Sequence, residues 1–337
     1  MPKWEETAMN FKTLTATAVI FSALAATTQA RELRLSAAPP PTSPWGAVTQ
    51  RFVDRVAEIS EGELTVNAYM GGTLGSEQDI VRQIARGRVD MGVMSNTAVS
   101  LLVPEFGLLA SPYAFESAEQ FDCVADNHLL GTFGDDFEAA GIRALSWMEV
   151  GYQVIFGTEE IHGPSDLAGM PIRTAPSATD SMFIQEAGGT PVPLGPNEAV
   201  AAIETGQVSA ATQLSVFGIA VGYDRVAPFI TLTRHQHQVG AIIMSNRTWN
   251  SLNEQEQGWI NEAAPIFLEL RASIRGAEGA LLGRAAEGGA TVIELSDEEM
   301  AQWRALAPAA QENILNDLGE SARDVWDQIQ QARTNCS

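Results

Sequence analysis

Two stretches of the chain run through the same order of helix, turn and strand about 120 residues apart, and this repetition narrows the fold more than any other feature. Leu74-Gly75 opens a helical pattern that passes Ile84, stops at Gly87 and leads through Val89 into an apolar strand ending at Ser95. Leu194-Gly195 opens another, which passes Ile203, stops at Gly206 and leads through Val208 into a strand ending near Gln213. The offset is 120 residues at the leucines and 119 at the glycines, so order and spacing agree although few side chains are identical. Two halves of similar build are implied; two unrelated strand-helix-strand units would also give this pattern, because such units recur widely.

The flanking segments use the same grammar. Leu33, Leu35 and Ala37 alternate before the turn Pro39-Pro40-Pro41, Val48, Phe52, Val56 and Ile59 follow at helical spacing, and Leu64, Val66, Ala68 and Met70 alternate again. Strand, helix and strand in succession point to an α/β fold with mostly parallel sheet. Ligands in such sheets sit beyond the carboxyl ends of the strands, which places Ser95, Asn96, Gln213 and Ser215 to face a cleft between the halves.

The last third reads as helical. Ser251-Leu-Asn-Glu254 and Ser296-Asp-Glu-Glu299 are capping-box patterns, and the stretch 253–286, with few breakers except glycines 258, 276, 279 and 283, is long enough to run across both halves as one helix. A strand is expected over 291–295, and helices over 300–306 and 312–333 with Pro308 between them.

Charge excludes one class of partner. The 337 residues hold 20 Lys+Arg against 42 Asp+Glu, a net charge of −22, so the chain offers no basic surface to nucleic acid or anionic lipid. Both lysines, Lys3 and Lys12, lie in the first 30 residues. That segment reads as a secretory signal peptide: a cationic start after Met9, an apolar run over 14–26, and the small-x-small site Thr28-Gln29-Ala30. The run is shorter than the roughly 20 residues a membrane span needs. The exported chain would start at Arg31 and be lysine-free, without a Schiff-base or P-loop lysine. Its two cysteines, Cys123 and Cys336, are expected to pair in an oxidising compartment.

A catalytic set is hard to assemble. His128, His162, His235 and His237 lack the H-E-x-x-H spacing, the two cysteines cannot form a CxxC site, and no G-x-S-x-G occurs. Neither a metal nor a cofactor is expected. Met170-Pro-Ile172-Arg173-Thr174-Ala175-Pro176 surrounds one arginine with apolar residues. A buried arginine needs a partner, and its planar fork fits a carboxylate, either a ligand's or one of the protein's own in a structural salt bridge.

Pro40-Pro-Thr-Ser-Pro44, Glu61-Gly-Glu-Leu64, Leu74-Gly75, Gly87-x-Val-Asp-Met91, Val103-Pro-Glu-Phe106, Asp166-Leu-Ala-Gly-Met-Pro-Ile-Arg173, Pro193 followed by Glu198, and Gly206-x-Val208 occur in this order over nearly all of the mature chain. In this it resembles the DctP-like solute-binding proteins of tripartite ATP-independent periplasmic (TRAP) transporters. The resemblance implies a two-lobed periplasmic binding protein-like α/β fold closing on a small organic acid, with a long C-terminal helix spanning both lobes and membrane subunits that use an ion gradient. Residues 31–150 with 240–279 would form the first lobe and 151–239 with 280–337 the second.

In that family the arginine at Arg173 pairs with the substrate carboxylate. A second arginine of sialic-acid-type members falls on Gln153, and Gln213 replaces a usual asparagine, so one carboxylate is expected rather than two. Trp45, Trp147 and Tyr152 are candidate aromatic walls, and Pro196 and His235 complete the candidate site. The expectation is a monomeric, non-enzymatic periplasmic binding protein for a small organic acid; a ligand-binding subunit of a membrane sensor and a secreted hydrolase are the alternatives.

Overall fold

Among the described residues nine strands join in one sheet whose order displays the repeat directly. They are β1 (Arg31–Ala37), β2 (Leu64–Tyr69), β3 (Met91–Ser95), β4 (Ile142–Gly157), β5 (Pro171–Thr174), β6 (Thr190–Pro193), β7 (Ala210–Leu214), β8 (Phe229–Ser245) and β9 (Thr291–Ile293). The sheet runs β2-β1-β3-β8-β4-β7-β5-β6, with β9 against β8. Counted inward from each edge, β2-β1-β3 and β6-β5-β7 are parallel trios of the same order. The structure is a computed structural model and describes Met1 and residues 30–336, so the leader expected over residues 1–30 falls almost wholly outside the described residues.

The repeated helices are Glu77–Ala85 and Pro196–Glu204. Each starts on a local cap: Ser76 Oγ accepts from the Asp79 N–H at 3.2 Å, and the Glu198 carboxylate accepts from the Gly195 N–H at 2.8 Å. Each ends on a glycine in the left-handed region, Gly87 at φ +70° and Gly206 at φ +72°, whose N–H donates to the carbonyl of Ile84 or Ile203 at 2.9 Å. A β-carbon is costly there, and glycine at these two matched positions lets the chain turn from helix into strand.

β4 and β8, of 16 and 17 residues, are antiparallel to each other and belong to both halves. The end of β8 pairs with β3 from Ser95↔Gly240 to Met91↔Met244, while its start carries β9. The end of β4 pairs with β7 from Gln153↔Leu214 to Gly157↔Ala210. Their mutual register shifts at Ala144/Ser146, Glu149/Gly151 and Gln153/Ile155, so the sheet bends where the halves meet.

Helices cover both faces. One cluster joins Leu33, Leu35, Phe52 and Phe267, and another joins Phe106, Phe133, Phe137 and Trp147, on either side of the first half of the sheet. Phe156 with Tyr223, and Ile172 with Phe183 and Trp303, do the same for the second half. Each large apolar side chain so buried contributes about 1.5–3 kcal/mol.

The single helix expected over 253–286 is instead three pieces: Glu254–Ala263, a 3-10 turn Ala264–Glu269, and Leu270–Glu287. Pro265 lacks the N–H that an α-helix interior needs, and it sits in the first turn of the 3-10 segment. The final piece still crosses the molecule, since Leu270 and Ile274 enter the first-half core and Leu282 and Ala285 the second. The stretch 312–333 is likewise divided, at Gly319 with φ +94°, into Ala307–Leu318 and Glu320–Asn335. The last helix sends Ala322, Val325, Ile329 and Ala332 into the core around Ile80 and Phe106 of the first half, although its sequence position suggested the second. The Cys123–Cys336 disulfide, with Cα atoms 5.7 Å apart, holds it there. No helix of the described residues is long and apolar enough to cross a membrane.

Candidate functional site

A cavity of about 710 Å³, including its open mouth, lies where the carboxyl ends of β3 and β7 approach the crossing strands. β5 supplies the one cation that the described residues place in its lining. Arg173 is 2% exposed, and its neighbours in register are Val192 and Ala211. Its Nε and Nη2 donate to the Leu194 carbonyl at 2.9 and 2.7 Å, and Nη1 donates to the Thr212 carbonyl at 2.8 Å. These three bonds fix the guanidinium plane and leave two of its five N–H donors. No ion pair to Arg173 is formed among the described residues. Asp180 is fully buried nearby, accepting from the Ala175 N–H at 2.5 Å and the Thr212 hydroxyl at 2.7 Å. Burial pushes its carboxyl up from the ordinary range, and the hydrogen bonds from Thr212 and Ala175, followed by the Arg173 charge, pull part of the way back. The structural salt bridge is therefore absent, and two carbonyls hold a buried cation whose charge they do not neutralise.

β3 and the helix before it, Glu77–Ala85, supply the opposite wall. Ser95 N–H and hydroxyl donate to the two carboxylate oxygens of Glu77 at 2.6 and 2.7 Å, and both residues line the cavity. Burial raises the Glu77 carboxyl above its usual range, and these two hydrogen bonds oppose the shift. Trp45 forms another wall, packed edge-on to Phe217 with centroids 6.2 Å apart, and its indole N–H is taken by the Glu149 carbonyl at 3.1 Å. Pro196 lines the cavity while its carbonyl accepts from the Tyr223 hydroxyl at 2.9 Å. The Gln213 amide also lines it, although its oxygen accepts from the Leu214 N–H at 2.9 Å and its nitrogen donates to Tyr223 at 3.3 Å. Gln153 presents a buried amide oxygen with no partner among the described residues.

Arg173, Gln213, Gln153, Ser95, Trp45 and Pro196 are thus brought together. The other candidates are placed elsewhere. Asn96 is buried and donates to the Phe106 carbonyl at 2.7 Å, anchoring the following loop. Ser215 donates to Glu278 at 2.5 Å. Trp147 is core, stacked on Phe106 with centroids 6.0 Å apart. Simple alternation puts Trp147 and Gln153 on one face of β4, but the register shift at Glu149/Gly151 exchanges the faces, so Met148 and Val150 line the cavity with Gln153. Tyr152 stacks on His237 at 4.4 Å, and fully buried His235 stacks on Phe183 at 4.7 Å. Both lie on the reverse face of the crossing strands, along a second cavity.

Glu77, Gln238, Met148 and Phe217 join the site without a sequence argument having named them. Gln238 was accessible through the alternation of β8, because it points opposite to His235 and His237. Glu77 was not, since an acidic residue in the first turn of a helix is ordinary compensation of the helix dipole. The site can hold and orient an anion. Among the described residues no cluster of three or more His, Cys, Asp or Glu is arranged to hold a metal.

Comparison with known proteins agrees with this geometry. The crystal structure of a TRAP periplasmic solute-binding protein from Sulfitobacter sp. with bound β-D-galacturonate superimposes with a TM-score of 0.84 at 23% identity, covering 89% of this chain and 100% of that one. A TRAP periplasmic solute-binding protein from Roseobacter denitrificans with bound β-D-glucuronate gives 0.83 at 25% identity, over 89% and 99%. The ectoine-binding periplasmic protein TeaA of Halomonas elongata is 25% identical over 274 residues, 79% of this chain and 80% of that protein. The sequence profile of the bacterial extracellular solute-binding proteins, family 7 (DctP), matches residues 35–317. A fold with a cation-floored cleft, and a profile that spans most of the chain, lead to one conclusion: this chain belongs to the DctP family of TRAP periplasmic solute-binding proteins, which bind rather than transform their ligands.

Proposed function

We propose that the protein captures a hydroxylated monocarboxylate of the sugar-acid class in the periplasm and delivers it to TRAP membrane subunits. The observation that carries this reading is Arg173: a guanidinium 2% exposed, fixed by two carbonyls, facing a cavity and lacking an ion-pair partner among the described residues. A ligand carboxylate would supply the missing charge through the two remaining donors, and charge-assisted bonds of this kind contribute about 1.5–3 kcal/mol. Arg173 is the one cation in the lining, which suits one carboxylate. The partnerless Gln153 oxygen, Ser95 and Glu77 suit hydroxyl groups, and Trp45, Pro196 and Phe217 suit the apolar face of a sugar ring. The uronates bound by the Sulfitobacter and Roseobacter proteins belong to the same chemical class.

Titration calorimetry of the mature protein with D-glucuronate, D-galacturonate, L-gulonate and succinate tests the reading. One sugar acid should bind more tightly than the dicarboxylate. Arg173→Lys should weaken it about tenfold or more, and Arg173→Ala further. Unchanged affinity in a folded Arg173→Ala variant would move the carboxylate to another group, and a preference for succinate would refute the single-carboxylate reading.

A further inference from the structure

The cavity on the reverse face of the crossing strands has a volume of about 550 Å³ and is independent of the sugar-acid cleft. Tyr152 and His237 sit opposite each other in the β4–β8 register and line it, whereas their neighbours Gln153 and Gln238 line the first cavity. The strand alternation therefore gives the crossing strands β4 and β8 two separately lined sides. The segment around Tyr113 and Glu116, and Arg304 at the end of the helix Asp297–Arg304, complete the second one.

Its polar groups are incompletely matched. His235 and His237 are 0% and 6% exposed, and His235 Nε2 and His237 Nδ1 have no partner among the described residues. The Thr233 hydroxyl is buried, with His235 Nδ1 at 2.7 Å as its hydrogen-bond partner. Where the Thr233 hydroxyl donates to Nδ1, the hydrogen of the neutral ring is left on Nε2 as an unused donor. Burial keeps that ring neutral by lowering its pKa to about 3. His237 donates from Nε2 to Glu149 at 2.6 Å.

Two guanidiniums accompany the imidazoles. Arg304 lies over the Tyr113 ring, 5.0 Å from its centroid, and forms no ion pair among the described residues. Arg234, held at φ +43° on β8, meets Glu278 and Glu294 only at 3.5 and 3.9 Å. The acid in the lining, Glu116, is exposed and lies 3.8 Å from Arg333. Of these groups Arg304 is the cation without an ion pair among the described residues, and Arg234 is paired only at long range, so positive charge is left at this cavity in a chain of net charge −22.

We propose that this second cavity is an anion site, in which a carboxylate, phosphate or sulfate group is held by Arg304, Arg234 and the Nε2–H of His235. The site takes its own ligand and does not depend on Arg173. The test is therefore made on the mature Arg173→Ala protein, with sodium acetate, phosphate and sulfate added in turn against sodium chloride at equal ionic strength. Long-range proton–nitrogen spectra of the imidazoles report it, because the mature chain has four histidines and only His235 and His237 line the cavity. At least one oxyanion should shift these two rings saturably, leaving His128 and His162 at their chloride positions, and the anion that does so identifies the class. Arg304→Ala, a change at an exposed residue, should weaken that response about tenfold. Absence of a saturable response, an equal response to chloride, an unchanged affinity in Arg304→Ala, or a response seen only when Arg173 is intact would each overturn the proposal.

Discussion

Removing Arg275 tests whether the charge network behind the cavity is as dry as it looks. Glu149, whose side chain is 1% exposed, accepts from His237 Nε2 at 2.6 Å and from Arg275 Nη2 and Nε at 2.6 and 3.1 Å, and its backbone carbonyl holds the Trp45 indole. Arg275 also makes two bonds to Asp122, at 2.7 and 2.8 Å. In Arg275→Met the apolar stem is retained, but a buried carboxylate is left with one imidazole. Stranding a charge in this way costs about 3–5 kcal/mol, far more than the 0–1 kcal/mol of a surface pair. The unfolding entropy, about 2.1 cal/mol/K per residue over roughly 300 residues, converts this to a fall in Tm of about 5–8 °C. Adding Glu149→Gln removes the stranded charge, so the double variant should recover at least about 1 kcal/mol relative to the sum of the single changes. Calorimetric melting and urea titration of the four proteins measure the cycle. A cost below about 1 kcal/mol for Arg275→Met, or strict additivity, would show that water reaches Glu149 and that the network is not buried.

The Cys123–Cys336 bridge spans 213 residues of sequence, a loop long enough for about 5 kcal/mol by the chain-entropy estimate. Thiol labelling of the denatured, unreduced protein should find no free cysteine, and a double serine variant that loses less than about 1 kcal/mol would assign the anchoring of the last helix to packing alone. Beyond Ala30 the chain carries 40 acidic against 18 basic residues, so Tm should rise as salt shortens the screening length from about 30 Å at 0.01 M to about 10 Å at 0.1 M, and a flat response would refute the self-repulsion. His235 has its pKa lowered to about 3 in the fold, against about 6.5 when unfolded. The unfolded chain then binds the extra proton below pH ~6.5, so stability falls with pH down to ~3, by about 2 kcal/mol at pH ~5. His235→Phe, which preserves the stack on Phe183, should lack this slope in urea titrations; an identical slope would locate the proton uptake at another group.

Periodicity and turn chemistry were sufficient for the repeated units, since Gly87 and Gly206 mark equivalent helix ends and the strands after them stop at Ser95 and Leu214. Arg173 was legible because a lone cation among apolar residues demands an explanation. What sequence alone concealed was mostly a matter of parity. A β-bulge exchanges inside for outside without any residue that announces it, and so Trp147 passed for a wall while Met148 and Val150 became one. The helix break at Pro265 had a local signal, the missing N–H, which the otherwise favourable run around it obscured. The docking of Glu320–Asn335 onto the first half had none, because its apolar stripe would fit either core.

The shared strands also govern the order in which this molecule can become itself. β3 lies between β1 and β8, so a nascent chain that ends before Phe229 has made all of the first trio but exposes its inner edge. β4, already synthesised, lacks the neighbour that pairs along its whole length. Open edges of this kind invite pairing with other chains, and contacts between strands nearly a hundred residues apart form slowly. Neither half can therefore finish folding ahead of the other: β8 closes both at once, and a fragment cut at the apparent boundary between the halves would aggregate rather than yield an isolated lobe.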